Sequence, residues 1–154
     1  MKKILLLIII TGLTATVKAQ CTFPYKSLVE FSNDTTSFVT YNFSQRAVCY
    51  TGKTIQQFIA DLGIAILSYV PIEEFKDRRR TLRYKSIYFY LYPYSTIIQN
   101  MHKHIFKNII VVTLETPMDF NSFNSQRGTD YYKWNSQIEN YLKGQVIKDI
   151  DIVK

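Results

Sequence analysis

The sequence predicts an α+β domain: an antiparallel three- to four-stranded sheet with helices packed on one face. Three observations carry this. Ile55, Phe58, Ile59 and Leu62 recur at i, i+3, i+4 and i+7, the spacing of one apolar helix face. Residues 84–92 alternate side chains as a strand does. The links between consecutive strand segments are mostly short, and a parallel crossover needs about a dozen residues or more. The link across 94–107 is long enough to leave that one pairing open.

The elements follow in order. Residues 1–19 read as a signal peptide. Lys2 and Lys3 form the charged start, Ile4 to Ile10 an unbroken apolar run, and Val17-Lys18-Ala19 a small-x-small site before Gln20. The apolar run is too short to span a bilayer, which takes about 20 residues. Lipid attachment at Cys21 is disfavoured, because Gln20 stands where a small residue is needed. Residues 20–154 then form one exported domain, periplasmic or secreted, with no transmembrane segment. Removing Lys2, Lys3 and Lys18, and no acid, lowers the net charge from +7 to +4. The chain has 2 cysteines, Cys21 and Cys49, and an oxidising compartment favours a disulfide between them.

Residues 27–31 are short and apolar and read as an edge strand. Asn33-Asp34-Thr35-Thr36 is a helix-capping cluster. Residues 38–43 alternate like a strand, yet the caps before them favour a helix, and helix is the reading taken. Thr54 caps the clearest helix and Gly63 ends it. Residues 64–70 read as a strand stopped by Pro71, and 73–81 as a polar loop. Residues 82–92 are the strongest strand, ended by Pro93. Residues 94–107 form a connection with room for a helical turn. Residues 108–115 are a third strand ended by Pro117, and 121–128 a polar loop. A last helix is expected from Thr129 to about Leu142, and a last strand over 146–152.

The segment GKTIQQFIADLG, residues 52–63, resembles the first helix of small periplasmic domains of the SmpA/OmlA class. Gly52, Thr54, Phe58, Leu62 and Gly63 carry the likeness. The proline usual two residues after Leu-Gly is replaced by Ala65. The resemblance implies a two-layer secreted scaffold and no particular activity.

Four patterns invite a chemical reading. Residues 47–54 fit a permissive phosphate-loop pattern, but Val48, Cys49 and Tyr50 are bulky where backbone N–H groups must reach a phosphate. Helix capping explains Thr54 instead. His102 and His104 are the 2 histidines of the chain. His-x-His on a strand would put both rings on one face, but a metal site wants three or four ligands. The mature carboxylates are scattered, and nothing selects a pair facing across a cleft. Arg78, Arg79 and Arg80, with Lys76, Arg83 and Lys85, form a basic run. It suits either a solvated, edge-guarding segment or contact with acidic polymer or lipid headgroups.

The most informative stretch is 84–94. Tyr84, Tyr88, Tyr90 and Tyr92 are expected on one strand face, and Ile87, Phe89 and Leu91 on the other. The second face should meet the helices. The tyrosine face suits either cross-strand packing or a platform for sugars or peptides. The resulting expectation is a non-enzymatic protein that binds a protein or an envelope component such as a glycan. It uses no cofactor and no catalytic or metal-ligating residues, and export argues against a nucleic-acid partner. The alternatives are a secreted hydrolase whose carboxylates meet only in three dimensions, or an inhibitor of an exported hydrolase.

Overall fold

A computed structural model describes residues 21–75, 82–128 and 130–153. The expected signal peptide, residues 1–19, lies outside them, as do Arg78, Arg79 and Arg80. No helix among the described residues is long and apolar enough to cross a membrane.

Four strands form one antiparallel sheet in the order β1-β2-β3-β4: β1 (Ser68–Phe75), β2 (Leu82–Tyr90), β3 (Ile109–Asp119) and β4 (Ile147–Val153). The helices are α1 (Thr35–Thr40), α2 (Ile55–Leu62), α3 (Tyr94–His102), α4 (Phe120–Asn124) and α5 (Ser136–Leu142). The α+β architecture with an antiparallel sheet is the one expected.

The main core lies between one sheet face and α1, α2 and α5. Ile87, Phe89, Ile110, Val112 and Ile150 meet Phe38, Phe58, Leu62, Ile138 and Leu142 there. A relay of rings runs through it. Phe38 touches Phe43 at 5.9 Å between centroids, Phe43 touches Phe58 at 5.3 Å, and Phe58 touches Phe89 at 5.5 Å. These spacings suit edge-to-face packing. The predicted helix over 55–62 forms as read. Thr54 accepts the Gln57 N–H, Gln57 reaches back to the Thr54 N–H at 2.9 Å, and Gly63 closes the end at φ 63°. Such reciprocal capping satisfies two donors that the helix cannot.

The N-terminal segment was misread in part. Residues 27–31 are not an edge strand. The Glu30 carboxylate accepts from the Ser27 N–H at 2.6 Å and its hydroxyl at 2.9 Å, closing a 3₁₀ turn over Leu28–Phe31. The helical reading of 38–43 holds: Asp34 caps α1, which continues into a π turn over Tyr41–Gln45. Buried Asn42 and Arg46 tie the N-terminal strap to this turn. Asn42 donates to the Lys26 carbonyl at 2.8 Å, and Arg46 Nε donates to the Phe23 carbonyl at 2.9 Å. Cys21 and Cys49 form a disulfide beside them, with Cα atoms 4.8 Å apart.

Of the three prolines expected to end strands, Pro93 follows the end of β2, while Pro71 and Pro117 lie inside β1 and β3. β1 runs through Pro71 because β1 is an edge strand, and among the described residues none pairs with Pro71 on its outer side. β3 runs through Pro117 because β4 has already left its side; Met118 and Asp119 pair only with β2. The stretch 121–128 was read as loop, yet Asp119 accepts the Ser122 N–H at 2.8 Å and starts α4. The last helix begins later than expected, where Asn135 accepts the Gln137 and Ile138 N–H groups, both at 3.0 Å. The residues before it pair with β1 instead: the Tyr69 N–H bonds to the Tyr132 carbonyl at 2.9 Å.

Candidate functional site

The site is built on the sheet face turned away from the main core. Strand alternation puts Tyr88 and Tyr90 there, between Val70 and Val111 in one row and Ser68 and Ile109 in the next. After Pro93 the chain turns back over this face as α3. Ile97 of α3 is buried with Tyr90 and Ile109 in a second, smaller apolar cluster.

Tyr84 does not belong to this face, contrary to expectation. Ile72 and Glu73 are consecutive on β1, but their partners Ser86 and Tyr84 skip Lys85. One extra residue in a strand is a bulge, and it moves every earlier side chain to the opposite face. Tyr84 therefore enters the main core, stacked on Phe120 at 5.3 Å, with its hydroxyl on Asn124 at 3.2 Å. The skipped Lys85, part of the basic run, forms an ion pair with Glu74 at 2.9 Å. The platform is not open and flat either: Tyr90 is buried, while Tyr88 and Tyr92 are half-buried.

What remains between α3 and the strands is an apolar groove of about 300 Å³. Tyr88, Tyr90, Ile109 and Val153 line its sheet side; Ile97, Met101, Ile105 and Phe106 line the other. Tyr92 closes one end, its hydroxyl donating to the Lys107 carbonyl at 3.3 Å. Burial, reinforced by Tyr92, Tyr88 and Tyr94 nearby, pushes the Tyr90 hydroxyl up to about 12. Burial also raises Tyr92. Tyr90 and Tyr92 thus stay neutral, and the rings on this face serve as apolar surface with hydroxyl handles.

The loop after α3 keeps the mouth of the groove apolar. His104 and Asn108 take the left-handed conformation, at φ 54° and φ 57°. The loop thereby reverses twice and returns to β3. Met101, Ile105 and Phe106 stay 52%, 38% and 41% exposed. His102 ends α3 and His104 sits in the reversed loop, so the two do not share a strand face. Among the described residues no group of three or more His, Cys, Asp or Glu is placed to hold a metal.

The phosphate-loop pattern resolves as structure. The Gly52 N–H donates to the Ile147 carbonyl at 2.8 Å and the Lys53 N–H to the Tyr50 carbonyl at 2.9 Å. Donors committed to the protein cannot cradle a phosphate. The displaced carboxylates serve turns and caps. Glu30 and Asp119 are lowered first by backbone hydrogen bonds, from Ser27 and Ser122, and Asp34 first by the Ser37 hydroxyl.

A second cleft, of about 530 Å³, escaped the sequence reading. Leu67, Pro93, Tyr94, Tyr131 and Tyr132 line it. It is the larger of the two, but Tyr94 stacks on Tyr132 at 4.4 Å, and the buried Arg127 guanidinium lies 5.0 Å from the same ring. Tyr132 is thus engaged by two internal partners, which suits a structural clasp. The paired Tyr131-Tyr132 was its only sequence signal. No protein family, no curated protein and no solved structure matches this chain.

Proposed function

We propose that this is an exported, non-enzymatic binding protein that takes an apolar part of a protein or cell-envelope component into the groove between α3 and the tyrosine face. The observation that carries the reading is the groove: neutral tyrosines and aliphatic side chains line it, and its mouth stays exposed. Concave, mostly apolar sites with a few polar handles are the usual form of ligand sites. The disulfide is compatible with an oxidising compartment.

Strand addition at a sheet edge is a poorer reading. Asp149 and Asp151 accept the N–H groups of Ile150 and Ile152 at 2.9 and 2.7 Å, occupying donors on β4. On the other edge, Pro71 has no N–H to offer. The hydrolase alternative needs a carboxyl group held protonated near neutral pH. Glu30, Asp34 and Asp119 do not supply it, each being lowered by the hydrogen bonds of its own turn or cap.

Nile red, a neutral dye, tests the groove. The folded oxidised chain is expected to bind it with a blue-shifted emission, and Met101→Asp, at the exposed mouth, to weaken binding about tenfold, as a charge there opposes an apolar ligand. A native chain that leaves the dye in water overturns the reading.

A further inference from the structure

We propose that the end of α3 and the loop following it, residues 101–107, form an interfacial anchor that inserts into an anionic lipid bilayer. This rests on the binding-protein reading above and names the envelope component as lipid. Three observations converge on it. Met101 at the end of α3 and Ile105 and Phe106 in the loop after it project large apolar surface, and Ile98, one helical turn before Met101, continues the patch at 38% exposure. Lys103 and Lys107 alternate with them and are exposed. Along the chain through the patch, residues 86–114 hold 2 Lys, Lys103 and Lys107, and no Arg, Asp or Glu, while Asp151 on β4 pairs with Val111 on the same face.

An apolar tip flanked by Lys103 and Lys107 matches the lipid interface, where acyl chains take the apolar side chains and anionic headgroups take the lysines. A second copy of this chain fits less well. A two-fold contact would bring the same lysine-bearing patch against itself, doubling one sign of charge in the interface, which opposes association. A protein partner would have to supply a matching acidic rim, which an anionic membrane presents at every point. The groove behind the loop then gives the inserted side chains a place to pack in the unbound protein. Ile105 and Phe106 line it from the loop side while keeping their outer surface in water.

The test uses the full exported chain with its disulfide intact. Flotation is measured with vesicles of pure phosphatidylcholine and of an equimolar mixture with phosphatidylglycerol. The chain is expected to float with the anionic vesicles and not the neutral ones, and to be released as salt is raised. Lys103→Gln with Lys107→Gln should weaken binding about 30-fold. Ile105→Ser with Phe106→Ser should abolish it with an unchanged thermal melt. Phe106→Trp reports insertion directly: its fluorescence should be quenched by bromine placed on the acyl chains. A native chain that stays behind with both vesicles overturns the proposal, as does a Trp at 106 that brominated lipid leaves unquenched. If the native chain binds Nile red but no vesicles, the groove stands and the lipid assignment falls.

Discussion

The two faces of the sheet use similar residues for different ends. Phe89 and Tyr88 are neighbours on β2, yet their surroundings differ. Phe89 is fully buried, touching Phe58 and Trp134 at 5.5 Å each. Tyr88 is half-buried against Val70, and its face is covered only where α3 crosses it. One face is covered by α1, α2, α4 and α5; the other is closed at one end and left as a groove. Aromatic content alone therefore does not mark a core. What marks it is whether an element is supplied to cover each ring.

That contrast fixes the expected ranking of substitutions. Phe89→Ala should cost about 3–5 kcal/mol in a denaturant melt, because it opens a cavity among packed rings. Tyr88→Ala should cost about 1 kcal/mol, the ordinary effect of trimming a half-covered side chain. Equal losses would erase the distinction between the faces. A harmless Phe89→Ala would show that β2 presents the other set of residues to the core.

Alkali sharpens the comparison, because burial raises tyrosines on both faces. Tyr90 is held at about 12 in the fold against an ordinary 10.0, and Tyr50 in the main core is raised as well, also chiefly by burial. The unfolded chain releases these protons first. The stability they contribute is complete below pH 10 and is lost as pH rises toward 12. The melting temperature should fall across that window. Tyr90→Phe should make the fall shallower without removing it, since Tyr50 still contributes. A slope identical to the parent's would mean that Tyr90 is solvated in the folded protein.

The parts legible in the sequence are those governed by neighbours along the chain. Helix α2 was legible because its apolar spacing, its Thr54 cap and its terminal Gly63 agree. The pairing of Cys21 with Cys49 was legible because the chain offers no other cysteine. What was not legible depends on neighbours across the sheet. Nothing in the residues around Lys85 announces a bulge, which exists only through the register with β1 and β3. Without it, Tyr84 was counted with Tyr88, Tyr90 and Tyr92. Pro71 and Pro117 looked like strand ends because a proline disrupts a ladder only where a partner needs its N–H, and among the described residues neither partner exists. Helix α3 was hidden because its buried face holds one residue, Ile97, and its stability comes from lying on the tyrosines. The signal for the groove was present in Met101, Ile105 and Phe106, apolar residues set among Lys and His, but it was read as connection.

The groove is tested most directly by amide NMR of the oxidised chain, titrated with dihexanoyl phosphatidylglycerol kept below its micelle concentration. Binding at the groove predicts shifts confined to Tyr88, Ile97, Met101, Phe106 and Ile109, with Phe58 and Phe89 on the opposite face unmoved. Shifts gathered around Tyr94, Tyr131 and Tyr132 instead would transfer the binding site to the second cleft and contradict the assignment made here.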